Sequence, residues 1–465
     1  MMAPMILETV LDRVEANLET SRQRWFSLLR IPSVSAQPAH AADCRTAAEW
    51  LRDQLAGIGF DAAVRSTAGH PAVVAHHPGP GGNAPHLLFY GHYDVQPAEP
   101  FELWDHPPFE PAMVDGPHGK RVYARGAVDD KGQVMLWLEA LRAWYETTGS
   151  LPVRATVLIE GEEEVGSPNL EAFVTEHRAE LGADVAVISD TGMWDIDTPA
   201  LTTRLRGMVY TQVTLKAASR DLHSGLFGGE ALNPINALTA ILGQLHDADG
   251  RVRIPGFYDG IADVSPEQLA QWASLGFEEG EFLGGVGLSH AAGERSKSPL
   301  ERLWARPTAD INGIWGGYQG PGSKTVIAAE AGAKVSFRLV PGQDPAAVAE
   351  AFRRFVDGLA PADAKVTVEV FNASPGIEIP GGGRFLTAAQ AALSDEFGRS
   401  AVLIGSGGSI PVVESLRRVL GLDSLLIGFG LDDDQVHSPN EKFEWTCFRR
   451  GIRSHARLLG QFAAG

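Results

Sequence analysis

Along the first 200 residues, apolar positions alternate between two periods. "CRTAAEWLRDQLAGIGF" (44–60) repeats them at helical spacing and runs into glycines, a helix followed by its stop. "HLLFYGHYD" (86–94) is a nearly unbroken apolar run of strand length, as in a strand buried on both faces. "DKGQVMLWLEALRAWYETTG" reads as a helix, "PVRATVLIEGEEE" as a strand, "PNLEAFVTEHRAEL" as a helix and "ADVAVISDTG" as a strand. This alternation predicts an α/β domain whose mixed, mostly parallel sheet is flanked by helices.

From about residue 206 the rhythm changes. "GMVYTQVTLKA" alternates as a half-exposed strand, and "NPINALTAILGQLH" is helical. "SKTVIAAEAGAKVSFRLVPG" reads as a hairpin, "PAAVAEAFRRFVDGL" as a helix and "AKVTVEVF" as a strand. The order β-α-β-β-α-β is that of a small split βαβ sandwich. Residues 250–323, rich in Gly and Pro, read as a long insertion within it. After about 377 the first rhythm returns in "GRFLTAAQAALSDEFG", "DSLLIGFG" and a last helix. The expected organisation is a large domain (1–205 and 377–465) interrupted by a smaller α+β domain (206–376).

Composition narrows the function classes. The 465 residues are 44% hydrophobic and carry 39 basic against 58 acidic side chains, a net charge of −19. That balance argues against nucleic acid or an anionic membrane as partner. Two cysteines, Cys44 and Cys447, make no disulfide framework, so a reducing cytoplasm is expected. The N-terminal "MMAPMILETVLDRVEANLET" reads as an amphipathic helix without the uninterrupted apolar core of a signal peptide. No run of 18 apolar residues predicts a membrane span.

Five segments place acids or histidines just beyond an apolar stretch: His92 and Asp94 in "GHYD", Asp129 and Asp130 in "RGAVDDKG", Glu162–Glu164 in "EGEEEVGS", Asp190 in "ISDTG", and His437 in "GLDDDQVHSPNEKF". In a strand, His92 and Asp94 share a face. Each segment alone has a plain reading: a surface histidine, a helix N-cap, a solvated loop, a turn. Ligands in open α/β sheets bind beyond the carboxyl ends of the strands, so these residues should converge. Converging carboxylates repel unless a cation neutralises them. Two histidines among carboxylates is a zinc-like set, and the count exceeds one catalytic ion's needs. Taking Asp129, Glu164 and Asp190 as anionic ligands and His92 and His437 as neutral ones leaves Glu163 free to act as a base.

These motifs, in order with "DLHSGLFGG", "KTV", "FRLVPG" and "GGSIPV", resemble the co-catalytic zinc exopeptidase family of carnosinases, bacterial dipeptidases, glutamate carboxypeptidase and acetylornithine deacetylase. "DLHSGLFGG" and "HSPNEKF" are most similar to the carnosinase-like dipeptidase branch. The resemblance implies that His92 and Asp190 hold one zinc, Glu164 and His437 a second, and Asp129 bridges them. Manganese or cobalt would substitute. Asp94 would orient His92, and the Asp129–Asp130 peptide would be cis. Glu163 would take a proton from the shared water. His223 would contact the oxyanion, Arg338 would grip a substrate carboxylate, and Thr325, Gly408 and Ser409 would add polar contacts. Without the resemblance, Arg338 reads as a strand arginine and "SGGS" as a turn or anion nest.

The implied activity is zinc-dependent hydrolysis of dipeptides or short peptides bearing a free C-terminal carboxylate. An N-acyl-amino-acid amidohydrolase using the same site is the alternative, and Asp190 rather than Glu tilts towards peptidase. A non-catalytic peptide-binding protein would be expected to lack a ligand or the base. The same branch implies a homodimer paired through the inserted domains, with His223 serving the partner's site.

Overall fold

The computed structural model describes residues 2–408 and 410–464. In chain order its strands include β1 (Asp61–Arg65), β2 (Ala72–His77), β3 (His86–His92), β4 (Arg154–Glu160), β5 (Val185–Ile188), β6 (Ala200–Leu205), β7 (Gly207–Lys216), β8 (Leu222–His223), β9 (Thr308–Gly316), β10 (Val326–Ile327), β11 (Glu330–Leu339), β12 (Lys365–Ser374) and β13 (Ser424–Leu426). The chain divides into two compact units: residues 1–203, 379–404 and 411–465, and residues 204–378 with 405–410. Gly405–Ile410, which the sequence pattern grouped with the final segment, cluster with the smaller unit.

The larger unit is built on a mixed sheet in the order β1-β2-β4-β3-β5-β13-β6. Its centre, β4-β3-β5-β13, is parallel, while β1, β2 and β6 run antiparallel to their neighbours. The central strands are apolar runs because helices cover both their faces: β5 and β13 are buried at every residue, and β3 at all but His86. The helix Lys131–Thr148 is buried from Lys131 through Trp144 and ends at Gly149, whose φ of 77° suits a residue without Cβ. Trp25 stacks on Phe448 with ring centroids 4.4 Å apart, tying the first helix (Met2–Leu29) to the last (Trp445–Ala464).

The smaller unit carries a four-stranded antiparallel sheet in the order β9-β11-β7-β12. Val209, Val213 and Leu215 of β7 and Phe337 of β11 pack with Leu238, Ile241, Phe352 and Val356 of the helices Pro234–Leu242 and Pro345–Leu359. The order is the expected β-α-β-β-α-β, but the third element differs from the expectation. The strand hairpinned to β11 is β9, inside the stretch read as an insertion. Its sequence, "TADINGIWG", hides the alternation, because a bulge between Ile311 and Gly313 shifts the register and the strand lies at the sheet's edge. Val326–Ile327 instead pair with Leu222–His223 in a separate two-stranded ribbon.

Candidate metal centre

All four parallel strands of the larger unit end along one edge of the sheet. His92 closes β3 opposite Glu160, the last residue of β4, and Glu162–Glu164 follow directly. Asp190 stands two residues beyond β5, and the loop after β13 carries His437. Asp129 precedes the helix Lys131–Thr148, and the Asp129–Asp130 peptide is cis. The topology therefore gathers residues from distant parts of the chain.

The ligand atoms of His92, Asp129 and Glu164 lie within 4.8 Å of one another. His92 Nε2 is 3.2 Å from Asp129 Oδ1, and His437 Nε2 is 2.9 Å from Asp129 Oδ2 and 3.2 Å from Glu164 Oε2. The Asp129 carboxylate thus turns one oxygen towards each imidazole. Asp190 lines a cavity of about 420 Å³ together with Asp129, Gln133, Gly430, Asp432 and Val436.

The electrostatics are those of a site waiting for a cation. His92 is fully buried, and its Nε2 has no hydrogen-bond partner among the described residues. Hydrogen bonds to Asp129 and then Glu164 push the His437 imidazole up to about 10. Burial would lower His92, but Asp129 and Asp94 outweigh it and hold the ring well above its ordinary value. Burial would likewise raise Asp129, yet His437 and His92 keep it below the usual carboxylate range. Asp190 goes the other way, raised by burial and then by the Asp129 charge. A divalent ion would need both imidazoles neutral. The donor set of imidazoles and carboxylates fits such an ion.

Asp94, fully buried, organises the rest. Its backbone oxygen lies 3.1 Å and its Oδ1 3.4 Å from His92 Nδ1. Its carboxylate also accepts the backbone N–H groups of Glu163 (3.2 Å) and Glu164 (3.1 Å). One side chain therefore sets both a histidine and the turn that follows β4. Glu163 is raised by burial, against the lowering influence of His92.

The remaining predicted residues lie in the smaller unit. His223 is exposed on β8, and its Nδ1 accepts the N–H of Gly225 (3.0 Å), which leaves the proton of a neutral ring on Nε2. Across the ribbon His223 faces Val326, and Thr325 precedes it: the N–H of Ser224 donates to Thr325 O (3.0 Å). Arg338 is half-buried on β11, and Gly408 accepts the N–H of Arg206 (3.2 Å). Ser409 lies outside the described residues.

The sequence profile of Peptidase family M20/M25/M40 matches residues 88–461. This chain belongs to that family. As a member it is a metallopeptidase, a hydrolase acting on peptide bonds. It is 32% identical over 383 residues to the Beta-Ala-His dipeptidase of Homo sapiens, covering 81% of this chain and 75% of that protein. It is 31% identical over 467 residues to the Cys-Gly metallodipeptidase of Candida albicans, covering 96% of each. The crystal structure of human carnosine dipeptidase 1 superposes with a TM-score of 0.80 at 29% identity, covering 99% of both chains. That of the dipeptidase Dug1p from Saccharomyces cerevisiae gives 0.80 at 27%, again covering 99% of both.

Two further residues of this M20 peptidase contact the cluster in roles that the sequence does not spell out. Glu441 is fully buried, and its carboxylate accepts Arg125 Nη1 (2.8 Å) and the backbone N–H groups of Gly126 (2.9 Å), Val128 (2.9 Å) and Asp129 (3.1 Å). It moulds the turn that presents Asp129. Gln96 donates to Glu164 Oε2 (2.8 Å). Gln96 lies two residues past Asp94 and Glu441 within the motif "HSPNEKF", but neither task is legible from those positions.

Proposed function

We propose that this M20 peptidase hydrolyses dipeptides bearing a free C-terminal carboxylate, using two divalent ions, zinc by preference. The observation that carries this reading is the Asp129 carboxylate with one oxygen towards each of two imidazoles. In the proposal His92 and Asp190 hold one ion, Glu164 and His437 the other, and Asp129 both. When bound, the pair acidifies a shared water and polarises the scissile carbonyl. Its relatives are named for Cys-Gly and β-Ala-His, which share only two-residue length and free termini.

The chain's own residues supply the rest. Asp94 keeps the His92 proton on Nδ1, so that the Nε2 lone pair is free for a cation. Through the Glu163 and Glu164 amides it also holds the base and a ligand in fixed relation to that ring. Burial makes Glu163 more basic, as suits a group that takes a proton from water and returns it to the leaving amine. His223 offers Nε2–H to the oxyanion, and Thr325 stands beside it. Arg338 grips the substrate carboxylate as a fork. In a two-fold dimer paired through the smaller units, each chain would lend His223 to the other. Water adds across the amide to give a carboxylic acid and an amine.

The test is a panel of dipeptides and N-acyl amino acids assayed after exhaustive chelation and after adding back Zn²⁺, Mn²⁺ or Co²⁺. Dipeptide hydrolysis should vanish and return with the metal. Full activity in demetallated protein, or turnover confined to N-acyl amino acids, would overturn the reading.

A further inference from the structure

We propose that Arg206 is a second arm of the carboxylate seat, facing the substrate's C-terminus together with Arg338; this rests on the reading that Arg338 grips that carboxylate. Arg338 stands on β11 opposite Met208 of β7, and Arg206 is the residue between β6 and β7, two before Met208. Arg338 faces away from the packed helices, since its neighbour Phe337 points into the core. The two guanidinium groups are near enough for the charge of Arg338 to act on Arg206.

Both line a cavity of about 350 Å³ whose wall also includes Phe277, Phe282, Thr308 and Asp310. That volume holds more than a carboxylate and has room for the side chain of a terminal residue. The other charges around it are engaged. Arg302 pairs with Glu279, and Asp310 accepts Thr308 Oγ1 (2.9 Å). Among the described residues no carboxylate forms an ion pair with Arg206 or Arg338. Two like charges share a partly apolar wall with Asp310, which attracts Arg206 without forming an ion pair with it.

Arg206 is also held in place. Its Nε donates to Gly407 O (3.1 Å) and its backbone N–H to Gly408 O (3.2 Å). A Cβ on Gly407 would lie 2.8 Å from Arg206 Nη2, so the glycine loop closes directly on the guanidinium. With Nε committed, the N–H groups on the two terminal nitrogens remain for a ligand. Burial and then the nearby Arg338 charge lower Arg206 to about 10, a repulsion that a carboxylate would relieve. The pair can share one carboxylate, one oxygen to each fork or both to one.

The experiment compares a dipeptide with its C-terminal amide on wild-type, Arg338→Ala, Arg206→Ala and Arg206→Gln holoenzymes. Gln keeps an N–H donor for Gly407 O while removing the charge, so it separates loop support from carboxylate binding. Arg206→Ala and Arg206→Gln should each lose about 10- to 100-fold more kcat/KM on the free dipeptide than on the amide, mainly through KM. If Arg338→Ala discriminates acid from amide and both Arg206 variants lose equally on the two, Arg206 only supports the loop and this inference falls while the reading stands. If Arg338→Ala itself fails to discriminate, the reading of Arg338 falls, and the inference with it.

Discussion

Replacing Glu441 with glutamine should unseat Asp129 without touching a single proposed metal ligand. The Glu441 carboxylate accepts four N–H groups, two on each oxygen: Arg125 Nη1 and Gly126 N on Oε2, Val128 N and Asp129 N on Oε1. A glutamine amide can satisfy only one pair, because its NH₂ faces the other two donors. Turned one way, two buried backbone N–H groups lose their acceptor, at about 1–3 kcal/mol each. Turned the other way, Arg125 Nη1 and the Gly126 N–H lose theirs; in both orientations Arg125, whose side chain is only 2% exposed, keeps its cation–π contact with Trp104 (5.3 Å) but loses its counter-ion. Either way the loss is about 2–6 kcal/mol, a large part of the 5–15 kcal/mol typical of a folded domain. Denaturant unfolding of the metal-free protein reads the stability, and titration with Zn²⁺ against a competing chelator reads the site. Glu441→Gln should unfold at clearly lower denaturant and bind zinc more weakly. Unfolding within about 1 kcal/mol of wild type together with unchanged zinc affinity would refute the argument that this carboxylate moulds the Asp129 turn.

Three further outcomes are expected. Glu163→Gln should retain two metals per chain while kcat falls by about 10²–10⁴-fold, whereas Glu164→Gln should weaken metal binding; metal analysis showing the reverse would mean the two roles are exchanged. His223→Ala and Glu163→Gln chains, each inactive alone, should regain towards a quarter of wild-type activity when mixed with subunit exchange, since half the dimers are mixed and each of these holds one intact site; no recovery despite demonstrated exchange would confine His223 to its own chain. His455 is buried, bonds Ser189 Oγ (3.0 Å) and is lowered by burial to about 3, so the unfolded chain binds its proton first as pH falls. Its contribution is present above the unfolded value near 6.5 and is lost on acidification, about 2 kcal/mol between pH 7 and 5; the slope of unfolding free energy over that interval should flatten in His455→Gln, and an unchanged slope would contradict it.

What the sequence made legible were residues whose task follows from where they stand. His92 ends a strand and Glu164 and Asp190 follow strands, and strand ends on one edge of a parallel sheet converge, so their common location was readable from the pattern, while their proposed roles came from the family resemblance. Glu441 was not, because accepting backbone N–H groups from a turn 300 residues away leaves no local pattern. Arg206 sits unremarked before a strand whose alternation begins one residue later. In the fold, the parallel centre was legible as apolar runs. The antiparallel flank β1–β2 and the edge strand β9 were not, since a bulge, two glycines and half-exposed positions blur a period of two.

The placement of β13 between β5 and β6 bears on how the protein is made. All of the smaller unit lies between β6 and β13 in sequence, yet β13 is the strand that completes the parallel centre. During synthesis β5 therefore waits with one bare edge of unpaired N–H and C=O groups until the segment that follows the smaller unit has been made. The delay costs little at equilibrium, because each doubling of a closing loop adds only about 0.6 kcal/mol, but it lengthens the time that edge is open to other chains. His437 follows β13 on that same segment, so the proposed ligand set would be complete only after β13 has been made. Full occupancy of the proposed site would then follow closure of the sheet.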